Sequence, residues 1–128
     1  MGFFDFLHQS SLTEYENRVT RDPNDAEAHF LIGVGFERRG DVERAISAFE
    51  EVVRINPRSA EAHFNLAHLF AFKNEGSQAI RHITQAGNLF SQRNETEKKD
   101  QARSLLREFH ARFKDVEIKN TQTNEDSG

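Results

Sequence analysis

The sequence has no cysteine and no tryptophan, a single tyrosine and only two prolines. Without cysteine there are no disulfides, no thiolate metal sites and no thiol catalysis. Two prolines and seven glycines are too few for a turn-rich β fold and favour helices. No apolar run approaches the ~20 residues needed to cross a bilayer. Acidic residues exceed basic ones, with a formal net charge of -4 and a pI near 5.9. Lys and Arg are scattered, so nothing attracts nucleic acid or anionic lipid in general. A reducing, cytoplasmic location is compatible with this composition.

Against these absences stand 12 phenylalanines in 128 residues. The apolar packing is therefore expected to be largely aromatic. Hydrophobic residues make up 36% and charged residues 30%, with a mean hydropathy of -0.76. This is the profile of one domain with a modest core and a heavily charged surface. The start, Met1-Gly2-Phe3-Phe4-Asp5-Phe6-Leu7, lacks the basic region and small-residue cleavage site of a secretion signal. Phe6 also stands where a myristoylation pattern wants Ser or Thr. Phe3, Phe4, Phe6 and Leu7 are expected to fold back onto the first helix, the alternative being a contact for a partner or a membrane surface.

The chain repeats itself. Residues 22–30, Asp22-Pro23-Asn24-Asp25-Ala26-Glu27-Ala28-His29-Phe30, align with residues 56–64, Asn56-Pro57-Arg58-Ser59-Ala60-Glu61-Ala62-His63-Phe64, at an offset of 57 − 23 = 34. The register persists through Ile32/Leu66, Phe36/Phe70, Ala45/Ala79 and Ile46/Ile80. Each unit reads as two helices. Ala28, Leu31, Ile32 and Phe36 keep helical spacing, and Asn24-x-x-Glu27 suggests a capping box. Gly40 permits a left-handed exit and Asp41 caps the next helix. Val42, Ala45, Ile46, Phe49 and Val53 then continue until Asn56-Pro57, where the proline ring disfavours a helical Asn56.

His29-x2-Ile32-Gly33-x2-Phe36, Ala45-x3-Phe49 and Pro57 resemble the tetratricopeptide repeat, a 34-residue helical hairpin. The second unit gives His63-x2-Leu66-Ala67-x2-Phe70 and Ala79-x3-Ile83. In that pattern Gly33/Ala67 and Ala45/Ala79 are small where the two helices cross, and larger residues fill the space around them. Two departures stand out: His replaces the usual large aromatic at 29 and 63, and Ser91 stands where the second unit should end in Pro.

The implied fold is all-α, a solenoid of antiparallel helical hairpins with about six helices in three layers. Residues 1–23 form an apolar segment and capping helix, a degenerate half-repeat opened by Ser11-x-x-Glu14. Residues 24–57 and 58–91 are the two repeats. Residues 92–118 carry an amphipathic capping helix with Ala102, Leu105, Leu106, Phe109 and Phe113 on one face and Lys98, Arg103, Arg107 and Arg112 on the other. Residues 119–128 have no apolar anchor and are expected to be disordered.

Six histidines raise the question of metal or catalysis. His63 and His68 are five apart rather than four, and no His-Glu-x-x-His motif exists. His29 and His63 share a register and hence, on this reading, one packing role. Gly33 and Gly35 sit within a helix, so no phosphate loop follows. No cofactor, no metal site and no catalytic residue is expected.

The resemblance implies a function: first helices of successive repeats line a concave groove that contacts partner peptides. Carried over by register, that face holds Phe30, Val34, Glu37 and Arg38 from the first unit, and Phe64, Asn65, His68 and Phe72 from the second. One subclass clamps an acidic C-terminus with Lys and Asn, and Phe30 and Val34 occupy its positions here, so such a clamp is not expected. What remains is an apolar groove for a helix or extended segment of another protein, in an adaptor or chaperone-like module. The competing readings are a groove covered by the chain's own terminal segments, a homodimer, and a His-based metal protein or enzyme.

Overall fold

In a computed structural model the backbone is described for residues 3–126 and the side chains for residues 12–114. Among the described residues there are six helices and no strand: α1 (Phe3–Arg21), α2 (Ala26–Arg38), α3 (Val42–Ile55), α4 (Ala60–Phe72), α5 (Gly76–Gln92) and α6 (Thr96–Asp126). The chain divides into two compact units, residues 1–62 and 63–128. The all-α fold class read from the sequence is the one observed.

The 34-residue register is visible in how helices begin and end. Asp25 caps α2, its Oδ1 accepting from the Ala28 N–H at 3.0 Å. Ser59, 34 residues on, does the same for α4, its Oγ accepting from the Ala62 N–H at 3.3 Å. The sequence suggested Asn24 as the first cap. Asn24 lies one residue outside it, and its Oδ1 accepts from Arg54 instead. At the exits, Gly40 and Asn74 are again 34 apart and both left-handed, with φ of 75° and 60°. Each is followed by a residue whose N–H bonds back across the last turn, Asp41 to the Phe36 carbonyl and Glu75 to the Phe70 carbonyl, both at 2.9 Å. Asn94, with φ 59°, repeats the device after α5.

Unit 1 packs α1 and α3 against α2. Leu12, Ile32 and Ala48 form a buried cluster, with Tyr15, Val19 and Phe36 packed against it. Phe49 is fully buried, a contribution of roughly 1.5–3 kcal/mol from burying a ring of that size. It fits because Gly33 has no side chain: a Cβ there would lie 2.8 Å from the ring's Cζ. Asp25 also ties α1 to α2, accepting from Arg18 Nε at 3.0 Å and Arg18 Nη2 at 3.1 Å.

Unit 2 comprises the remainder of α4 with α5 and α6. Leu66, Ala67, Ala79, Ile83 and Ala86 are buried almost completely. The expected apolar stripe of α6 holds at Ala102, Phe109 and Phe113, which are buried, while Leu105 and Leu106 are half-buried. Ala102 fits against Gly87, and Phe113 lies across Gly76 so closely that a Cβ there would meet its Cγ at 2.5 Å.

Two boundaries differ from the sequence reading. Helix α1 begins at Phe3, so Ser11 lies inside it rather than capping it. The apolar residues 3–7 are turns of that helix and not a segment folded back on it, and their side chains fall outside the described set. Helix α6 runs to Asp126, through residues expected to be a disordered tail. Low hydrophobicity removes a reason to dock but not a reason to stay helical. Between Thr96 and Asp126 there is neither Pro nor Gly to end the helix, and extending an existing helix costs far less than nucleating one.

Candidate functional site

The residues expected to line the binding face fall on two helices, four in each unit. On α2, Phe30 and Val34 are half-buried, and Glu37 and Arg38 are exposed. The Phe30 ring meets Phe49 edge-on, with centroids 5.2 Å apart. Part of its apolar surface is thus spent inside the α2–α3 hairpin. Partial burial raises the Glu37 carboxyl above the usual carboxylate range, as expected for a charge partly removed from water.

On α4, Phe64, His68 and Phe72 recur at every fourth residue and so share one helix face. Phe64 is half-buried between His68, at 4.9 Å and 67°, and Phe90 of α5, at 6.3 Å and 67°. Asn65 is half-buried beside it. The His68 ring is partly withdrawn from water, which lowers its basicity, and Glu108 of α6 partly offsets that. Phe72, at the end of the stripe, is 74% exposed, the one large hydrophobic side chain left so open among the described residues.

Helix α6 meets the end of α4 with a polar tie. Arg112 Nη2 donates to the Ala71 carbonyl at 2.9 Å and to Asn74 Oδ1 at 2.8 Å. Its guanidinium also lies 4.7 Å above the Phe113 ring. The sequence put Arg112 on a solvated face; the structure makes it a second donor to the Ala71 carbonyl, which also accepts from the Asn74 N–H at 3.0 Å. The long arginine stem reaches where periodicity does not point.

The histidines divide differently from the expectation of one shared role. His29 is half-buried, with Nε2 2.9 Å from the Pro23 carbonyl. His63, at the same register, is 6% exposed and faces His82 of α5, which is 4% exposed, with Nδ1 atoms 3.0 Å apart. The difference lies in the partner position: residue 82 is His, whereas its equivalent 34 residues earlier is Ala48. At the 34-residue offset the second helices set His82 against Ala48, and that mismatch marks His82 in the sequence. Among the described residues no group of three or more His, Asp or Glu could hold a metal ion, and no helix is long and apolar enough to cross a membrane.

Two tetratricopeptide repeat family models match the chain, one over residues 38–108 and one over residues 8–60. The first spans more than half of it. No curated protein matches the sequence. Among solved structures, the type III secretion translocator chaperone SycD of Yersinia enterocolitica superposes with a TM-score of 0.79 at 15% identity, covering 88% of this chain and 78% of that one. PcrH, in complex with the chaperone-binding region of PopD, gives 0.78 at 14%, covering 86% and 84%. The TPR2B domain of yeast Sti1, in complex with pHsp70, gives 0.74 at 14%, covering 86% and 88%. These similarities, at such low identity, concern the fold. With the repeat register seen in caps, exits and core, and a family model spanning most of it, the chain belongs to the tetratricopeptide repeat family.

Proposed function

We propose that this chain is a non-catalytic protein-interaction module, an adaptor or chaperone-like holder, that receives an apolar helix or extended segment of another protein. The contact faces in this reading are Phe64, Asn65, His68 and Phe72 on α4, and Phe30, Val34, Glu37 and Arg38 on α2. The observation that carries it is Phe72, 74% exposed at the end of a stripe whose other two aromatic members are held in place by ring contacts. An exposed large aromatic beside pre-ordered rings is the composition of a binding hot spot. Two similar structures, PcrH and the Sti1 domain, hold segments of other proteins, which supports the same use here.

A charged clamp is disfavoured by Phe30 and Val34, which offer no donor to a carboxylate. The discriminating experiment displays a peptide library to the purified chain, including apolar helical segments and acidic C-terminal peptides. Enrichment of apolar segments, lost in Phe72→Glu, supports the reading. Enrichment of acidic C-termini, or binding indifferent to Phe72→Glu, defeats it. A homodimer through the same exposed ring is the second reading. Light scattering across concentration separates it, since a strict monomer excludes self-association.

A further inference from the structure

The cationic residues of α6 are scattered in sequence and gathered on the folded helix. Lys98 is paired with Glu95 at 3.4 Å, and Arg112 is tied to the end of α4. Of the basic face expected on this helix, that leaves Arg103 and Arg107, and His110 and Lys114 continue the row at helical spacing. All four are exposed, and among the described residues none of them makes an ion pair or a hydrogen bond. Lys99, one turn before Arg103, borders the row and meets Asp100 at 3.7 Å. Glu108 lies on the other side of the helix, where it acts on His68 of α4.

A solvated helix surface gives no reason for a row of one sign. Elsewhere Arg44 pairs with Asp41 and Arg54 with Glu51, each three residues away. Arg103 and Arg107 are four apart, a spacing at which like charges destabilise a helix. Nor does the row serve the helix dipole, since α6 runs on to Asp126. An open end of a repeat stack needs a polar face, but not a single sign. The register gives the row its meaning. Helices α4 and α6 begin at Ala60 and Thr96, 96 − 60 = 36 residues apart. Lys99, Arg103 and Arg107 thus stand where α4 has His63, Ala67 and Ala71. Those three are buried, and His63 faces α5. In unit 1 the same face holds Gly33, which receives Phe49 of α3. The row occupies the face on which a first helix seats its second helix. Instead α6 runs for 31 residues without the turn that brings a second helix back.

We propose that this face of α6 seats an acidic amphipathic helix of another protein, in the position a hairpin partner would take. From Arg103 to Lys114 the row covers about 16 Å of helix axis, roughly three turns. A partner helix presents carboxylates over that length at successive turns. Arginine suits the use, because its planar fork takes a carboxylate through two parallel hydrogen bonds. Leu106, half-buried, borders Arg103 and Arg107 and offers apolar contact to the partner's other edge. A long polyanion fits less well. The chain carries a net charge of -4, which opposes nucleic acid or an anionic membrane as a whole. A short helix laid on the row feels mainly the charges within a Debye length, about 8 Å at physiological salt. The site lies apart from the aromatic stripe of α4 and does not depend on it.

Calorimetric titration of the full chain with an alanine-based helical peptide of about 20 residues, bearing glutamates beside a row of leucines, tests the site. Binding should weaken as salt rises and disappear when glutamine replaces the glutamates. Arg103→Glu combined with Arg107→Glu should lower the affinity roughly tenfold or more. Its melting temperature should hardly move, both side chains being exposed. The same double variant should bind a peptide with lysine in place of glutamate, a reversal that a misfolded protein does not produce. No binding of the acidic peptide, equal binding of the glutamine peptide, or a double variant that still prefers glutamate would each overturn the proposal. So would tighter binding of phosphatidylserine vesicles or duplex DNA than of the peptide.

Discussion

Phe49 occupies the volume that a side chain on residue 33 would need: the Cβ absent from Gly33 would lie 2.8 Å from Cζ and 2.9 Å from both Cε atoms of that ring. Phe49 is fully buried and has no direction in which to retreat. The equivalent pair in unit 2 is Ala67 and Ile83, also buried. A methyl has been gained on one helix and a ring exchanged for a smaller side chain on the other.

Gly33→Ala should therefore destabilise the protein despite improving helix propensity. Overpacking costs about 1–3 kcal/mol, and the propensity gain returns about 1 kcal/mol at most. The net loss expected in denaturant unfolding is at most about 2 kcal/mol once the full propensity gain is subtracted. Phe49→Ile made together with Gly33→Ala should cost less than the sum of the two, because the pair reproduces the unit 2 combination. Strict additivity in this double-mutant cycle would show that the glycine is not there for the ring.

Gly76 stands in the same relation to Phe113, with the Phe113 Cβ itself 2.7 Å from a built side chain. Here the obstacle is the root of the side chain, which cannot swing away. Gly76→Ala should lower stability by about 1–3 kcal/mol and speed exchange in α6. In a Phe113→Ala background the cost should shrink but not vanish, because alanine removes the ring and keeps the Cβ. If the cost is the same in both backgrounds, the close approach to the Phe113 ring is not its cause.

Asp25 joins a helix cap to an ion pair, and Asp25→Asn separates the two. The amide can still accept from the Ala28 N–H but loses the charge that faces Arg18. The Arg18 hydrogen bond first, then the Ala28 N–H, hold the Asp25 carboxyl below its ordinary value. The unfolded chain thus binds the proton more readily. The contribution of Asp25 is present above the ordinary Asp value of about 3.9 and is lost as pH falls through the lower folded value. Melting curves should show Asp25→Asn less stable than wild type at pH 7, and the gap should close in strong acid. A gap unchanged down to pH 2 would mean the charge is irrelevant.

Phe72→Glu should leave stability within about 0.5 kcal/mol of wild type, as for a surface side chain without burial, while abolishing partner binding. Phe64→Glu should instead destabilise, since its ring is held between His68 and Phe90. Calorimetry beside a peptide-binding assay separates the two. Binding that survives Phe72→Glu would remove the exposed ring from the recognition surface.

The repeat was legible in the sequence because it lives on positions where only one kind of residue serves. Pro23 and Pro57, Gly33 and Ala67, Ala45 and Ala79 keep their spacing because sterics leave them little choice. What escaped the reading was set by partners far along the chain. His63 looked like a copy of His29 until His82, 19 residues away, supplied the atom it faces. Asn74 is not marked by its residue type as the counterpart of Gly40, although both take a left-handed turn, because asparagine tolerates that conformation without being confined to it. Arg112 read as a solvated charge, since periodicity reports on Cβ direction and not on where a long side chain ends. Of the expected binding face, the exposure of Phe72 and the half-committed state of Phe30 and Phe64 depend on neighbours that no local pattern names.

The tie from Arg112 to the end of α4 has a consequence for the order of biosynthesis. The Ala71 carbonyl receives its side-chain donor from 41 residues downstream, and Phe113, which closes over Gly76, arrives one residue later still. At ordinary translation rates that interval is roughly 2–8 s. In unit 1 the tie from Arg54 back to Asn24 spans 30 residues and closes sooner. The nascent chain thus completes its first half before its second, and for those seconds the end of α4 is held by its own backbone turn alone.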